Sequence, residues 1–74
     1  VSFVLTRTLP DGTVKAHRPL STLREVETAA AYVLMDNRSV PRGEARAFAG
    51  RLADAPLGTT VTHPSGYAFR VDRA

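Results

Sequence analysis

His17 and His63 are the only imidazoles in the sequence, and so the only side chains whose ordinary pKa suits proton transfer near neutral pH. To serve as a general base, or to activate a nucleophile, either would need a carboxylate or hydroxyl beside it in a cleft. His17 stands one residue away from Pro19 and His63 directly precedes Pro64, each on an expected edge strand, and no Asp or Glu adjoins either along the chain. They read as surface or turn histidines, and no catalytic residue is assigned. Metal chemistry has as little to build on, because there is no cysteine, no His-x3-His and no cluster of Asp and Glu. The glycines of Asp11-Gly12, Arg42-Gly43 and Gly50 stand alone, without P-loop or dinucleotide spacing. No metal and no cofactor is expected.

What remains is cationic. The net charge of +3 fits a nucleic-acid ligand, since clustered cations release counterions from phosphates. Yet nine of the ten basic residues are Arg, with Lys15 alone, and there is no Ile, no Gln and one Asn, a bias that a GC-rich genome writes into any gene. The expected source is a GC-rich bacterium or its phage or plasmid, where Val1 would suit a GTG start.

Three surfaces could bind. In the first, helices on either side of Asn37 to Val40 resemble a helix-turn-helix, the second presenting Arg42 and Arg46 one turn apart with Arg38 just before it. Arg51 and the Pro64-Ser65-Gly66 tip would then touch the DNA backbone, the tip as a wing. Against this, the turn lacks the usual Gly, the first helix is long and a third helix is missing; a helical hairpin is common in any α+β fold. The second surface is an outer sheet face lined by Thr6, Thr8, Lys15, His17, Thr60, Thr62 and Arg70. RNA-binding sheets stack bases on outward rings, whereas all three Phe and Tyr67 are assigned inward here. The third is the pair of edge strands, above all residues 59–63, short and uncharged, open to a strand from a protein partner or a second copy, which the helical hairpin could equally meet.

Positioning these residues falls to six elements. Residues 2–9 are β-branched and apolar, and Pro10-Asp11-Gly12-Thr13 supplies turn chemistry before a strand over 14–18. A four-residue loop pairing Leu9 with Val14 divides the faces best: Phe3, Leu5, Leu9, Val14 and Ala16 inward, Thr6, Thr8, Lys15 and His17 outward. Pro19 ends that strand, and Thr22-x-x-Glu25 is the spacing of a capping box opening a helix over 22–36. Its apolar stripe is Leu23, Val26, Ala30, Val33 and Leu34, and Asn37 is placed to close it in the left-handed conformation. Pro41 starts a second helix whose stripe is Ala45, Phe48, Ala49 and Leu52, and Asp54-Ala55-Pro56 stops it. Thr59 to His63 and Tyr67 to Asp72 form a last hairpin around a three-residue loop, with Val61, Tyr67, Phe69 and Val71 inward.

At 74 residues the chain buries only about 60% of its unfolded surface, enough for one core and one domain over 1–74. The expected fold is α+β: a two-layer sandwich in ββααββ order, two β-hairpins making one mainly antiparallel four-stranded sheet with a helical hairpin on one face. The most apolar strands, the first and last, belong at its centre. No stretch approaches a membrane span and no secretory leader is evident, so a cytoplasmic location is the default. The functional expectation is a small non-enzymatic binding or regulatory module acting through protein–protein contact, with a DNA-binding regulator using the second helix as the alternative.

Overall fold

Leu9-Pro10-Asp11-Gly12-Thr13 and His63-Pro64-Ser65-Gly66-Tyr67 follow one pattern, and in the computed structural model, which describes residues 2–74, they make the same turn. Pro presets φ at the first turn position, and the Gly takes the left-handed conformation that an L side chain resists, at φ 92° for Gly12 and 100° for Gly66. The Gly N–H donates back to the carbonyl of Leu9 or His63, and the flanking pairs close with Leu9 N–H to Thr13 O at 2.8 Å and His63 N–H to Tyr67 O at 2.7 Å. Both loops are therefore three residues long. For the second this meets the expectation; for the first it overturns the four-residue loop.

The consequence runs along both strands. β1 (Phe3–Thr8) pairs with β2 (Val14–Ala16) through Thr8 opposite Val14, Arg7 opposite Lys15 and Thr6 opposite Ala16. Val14 and Ala16 thus point outward with Thr6 and Thr8, while Arg7 and Lys15 take the helix side. Turn chemistry has prevailed over apolar pattern, because leaving Val14 63% exposed on an edge strand forfeits at most about 1.5–3 kcal/mol of burial, and long cationic side chains can lay their stems on apolar surface while their heads reach water. Arg7 does so incompletely, since its Nε is buried without a hydrogen-bond partner.

β3 (Thr60–Thr62) and β4 (Ala68–Arg73) form the second hairpin, and β4 pairs antiparallel with β1, giving the order β2-β1-β4-β3. First and last strands are central, as expected, and their antiparallel direction brings both hairpin tips to one end of the sheet. They touch there: a Cβ built on Gly66 would lie 2.9 Å from Pro10 Cγ. Pro19, which cannot donate, falls where β2 has left the ladder; beyond it Leu20 pairs once more with Phe3 through two bonds of 2.7 and 2.8 Å.

Helix α1 (Leu23–Arg38) opens on the anticipated capping box, with Glu25 N–H donating to Thr22 Oγ1 and Glu25 Oε1 accepting from the backbone of Thr22 and Ser21. It ends later than expected. Asn37 stays helical, its Nδ2 donating to Val33 O, and Ser39 adopts the left-handed cap at φ 53°, with Ser39 and Val40 N–H groups both donating to Leu34 O. Helix α2 (Arg42–Asp54) follows, capped by Pro41 without a side-chain bond.

The core lies between this helical hairpin and one sheet face. Val26, Ala30, Ala31, Val33 and Leu34 of α1 and Ala45, Phe48, Ala49 and Leu52 of α2 close over Leu5, Tyr67, Phe69 and Val71. Leu23, expected in the stripe, remains 38% exposed. Among the described residues no helix is long and apolar enough to cross a membrane.

Replacing Gly12 by Ala meets open space and should cost only the left-handed strain, about 1–2 kcal/mol. Gly66→Ala adds the clash with Pro10 and should cost about 1–3 kcal/mol more; Pro10→Ala in the same chain should return part of that. Urea midpoints of the three variants against the unchanged protein decide it, and equal midpoints for the two single glycine variants would show that the tips do not press on each other. A second outcome concerns acid. The Thr13 N–H donating to Asp11 Oδ1 at 2.9 Å holds the Asp11 carboxyl below its usual range. The stabilisation from that bond is present above the ordinary carboxylate pKa and is lost as pH falls through the lowered value. In an NMR titration the Thr13 amide should follow Asp11, and the Asp11→Asn variant should lose that inflection.

Candidate binding groove and hairpin latch

On α1, Arg24, Thr28, Ala31 and Met35 recur at spacings of four, three and four, which on a helix is a single stripe. It lies beside the stripe that faces the sheet. On α2, Arg42, Arg46 and Ala49 repeat the spacing. The two helices lie antiparallel, joined tightly at Leu34 and Val40 and still close at their far ends, where a Cβ on Gly50 would be 3.5 Å from Glu27 Oε1. Their second stripes therefore flank a common groove of about 530 Å3 on the solvent side of the helical layer. Ala31 and Ala49 leave its floor open, Met35 is half-buried in it, and Tyr32 stands 56% exposed on its wall.

Charge in the groove is mostly positive and uncommitted. Among the described residues the ion pairs are His63 with Glu44 and Arg70 with Asp72, so neither Arg24, Arg42 nor Arg46 has a carboxylate within bonding reach. Glu27 is the one acid of the lining. Paired guanidinium groups would be satisfied in place; these three are free to meet an anion bidentately.

The other residues expected at a binding surface scatter. Arg38 is engaged, donating from Nη2 to Ser65 O at 3.0 Å and lying over the Tyr67 ring. Arg51 covers the Phe48 ring at 5.8 Å. Lys15 and His17 sit on or beside edge strand β2, exposed, with Lys15 on the helix side rather than the outer face. Arg70 is outward as expected and bonds Asp72 at 2.8 Å. That outer face, across Thr6, Thr8, Thr60 and Arg70, holds only a shallow depression of about 170 Å3, with Val14 and Ala68 among its lining. Only Arg42 and Arg46 of the expected set are brought together, and Arg24, Tyr32 and Met35 join them unforeseen.

His63 corrects the sequence reading. It is not at the surface but 4% exposed, and a carboxylate does reach it: Nε2 lies 3.1 Å from Glu44 Oε2. Nδ1 accepts from Ser65 N–H at 3.0 Å, which puts the ring proton on Nε2, donating to Glu44. Ser65 Oγ is 2.9 Å from the same Nδ1, and Phe48 meets the ring edge-on at 5.0 Å. Serine, imidazole and carboxylate in line resemble a nucleophile with its base. Here the nitrogen that would take the hydroxyl proton is already filled by a backbone N–H, the Ser65 carbonyl is held by Arg38, and none of the three residues lines either depression. The cluster latches the second hairpin tip to both helices. A signal for it was present, since alternation that sends Val61 inward sends His63 inward too. Among the described residues no group of three or more His, Cys, Asp or Glu could hold a metal ion.

Comparison with protein-family models, with curated proteins and with solved structures finds no match.

The latch has an uneven energetic profile that mutation can read. His63→Ala removes a buried ring from Phe48 and orphans the Ser65 N–H, which should cost about 2–4 kcal/mol. Glu44→Ala removes a partner that is 57% exposed and water-screened, worth under about 1 kcal/mol. Equal losses in thermal or urea unfolding would mean that the ion pair, not the ring, holds the tip.

Proposed function

We propose that this chain is a small non-enzymatic binding module that engages a protein partner through the groove between its two helices. The observation that carries the reading is the convergence of Arg24, Arg42 and Arg46, all without a carboxylate partner, around a concave floor bearing Tyr32 and Met35. Aromatic, methionine and arginine side chains are the ones that interfaces enrich. The edge strands offer less, as β2 and β3 are each three residues long and a strand added to either gains few ladder bonds. DNA is favoured less by the same geometry. A recognition helix must project from its neighbours into a groove, and α2 lies alongside α1 with its arginines turned into a hollow.

The test is retention of host proteins on the immobilised chain, with and without nuclease, compared with an Arg42→Glu/Arg46→Glu chain. Both sites are exposed, and Glu at position 42, in the first turn, suits the helix dipole, so the variant should keep its fold by circular dichroism. Partners resistant to nuclease and lost on charge reversal are the expected result. Retention that vanishes with nuclease would replace this reading with nucleic-acid binding, and retention indifferent to the reversal would move the interface elsewhere.

A further inference from the structure

From the shape and charge of the groove we infer the class of its occupant: an acidic amphipathic helix, laid between α1 and α2 as the third member of a helical layer. The inference rests on the binding-module reading and goes further, naming what the groove accepts. Four-three spacing on both walls is the pattern by which helices interlock knobs into holes, and here it starts from Ala31 and Ala49 at the margin of the core and opens to solvent through the arginines, Thr28 and Met35. A convex rod of helical diameter completes such a pair. An extended strand would find no free backbone there to bond, because both walls are helical and their N–H and C=O groups are spent internally.

The length follows from the wall. Arg24 to Met35 spans about 16 Å at the helical rise, room for about three turns of a partner. Ala31 and Ala49 allow close approach at the middle, so bulky aliphatic side chains of the partner fill the floor against Met35 and Tyr32. Around that strip the free guanidinium groups of Arg24, Arg42 and Arg46 call for Asp or Glu on the partner's flanks. Glu27, half-buried beside Gly50, calls for a single donor opposite it and opposes an unbroken run of phosphates, which is what separates an acidic helix from a nucleic acid here.

A display library of random 18-residue peptides, selected on the wild-type chain and counter-selected on the Arg42→Glu/Arg46→Glu chain, tests this without knowing the natural partner. Enriched sequences should carry apolar residues at i, i+3 or i+4, and i+7 with Asp or Glu flanking them. A synthetic winner should shift the amide resonances of Ala31, Tyr32 and Ala49 and weaken by about tenfold or more on Arg46→Glu. Lys substituted for its acids should restore affinity to that variant. The inference is overturned if nothing is enriched, if winners lack helical period or acid, or if a random DNA duplex binds more tightly and is lost on the same reversal. Should lysate partners still depend on Arg42 and Arg46 while no acidic helix emerges, the occupant is wrong and the module reading stands; if neither depends on them, both fall.

Discussion

Two tight turns, each closed by a glycine in the left-handed region that most L side chains resist, govern the rest of the molecule. Because the side-chain period of a strand is two, a turn longer or shorter by one residue exchanges the faces of everything beyond it. The turn at Gly66 puts His63 and Tyr67 on the helix side, where each is bound from above: Glu44 on the imidazole, Phe48 against its edge, Arg38 over the tyrosine ring and onto the Ser65 carbonyl. These contacts come from the end of α1 and the first half of α2. They seat the helical hairpin at its loop, and the buried stripes of both helices then follow the sheet away from that point.

Once seated, each helix has one stripe committed to the core and a second that runs from the core's edge at Ala31 and Ala49 out to exposed Arg24, Arg42 and Arg46. A helix of a two-layer sandwich usually balances the charges on its free face among themselves by i, i+4 pairs. Arg42 and Arg46 are themselves four apart and alike in sign, so they repel slightly rather than support the helix. Arg24 adds a third charge of the same sign from across the groove. Such an arrangement contributes nothing to folding, and the small residues between the arginines keep the hollow from filling with the protein's own side chains.

Much of this was legible from local chemistry. The capping box of Thr22 and Glu25, the two Pro-x-Gly turns, the stop at Asp54-Ala55-Pro56 and the order of six elements are all written within a few residues of where they act. The first hairpin's register was not, because its two local signals conflict: the apolar pattern of Val14 and Ala16 asks for four loop residues and the turn residues ask for three. At an edge strand, where burial is slight, the turn decides. His63 with Glu44 was hidden for a different reason, as the partners are brought together only by the docking of α2 on β3 and β4, and no spacing along the chain encodes it. The groove was half visible. Arg42 and Arg46 stand out on one helix, while Arg24, Tyr32 and Met35 belong to it only once the hairpin has set the helices side by side.

The sheet's centre joins residues 3–8 to residues 68–73, so its most buried pairing spans nearly the whole polypeptide. Neither hairpin alone has a stable existence in water, and the loop that must close before β1 meets β4 is as costly in entropy as this chain can make it. The two helices can pack on each other early, but the sheet face they cover is complete only when β4 has come back to β1. A sheet whose central pair joins segments so distant in sequence raises the contact order, and a topology of that kind folds more slowly than one built from neighbouring segments.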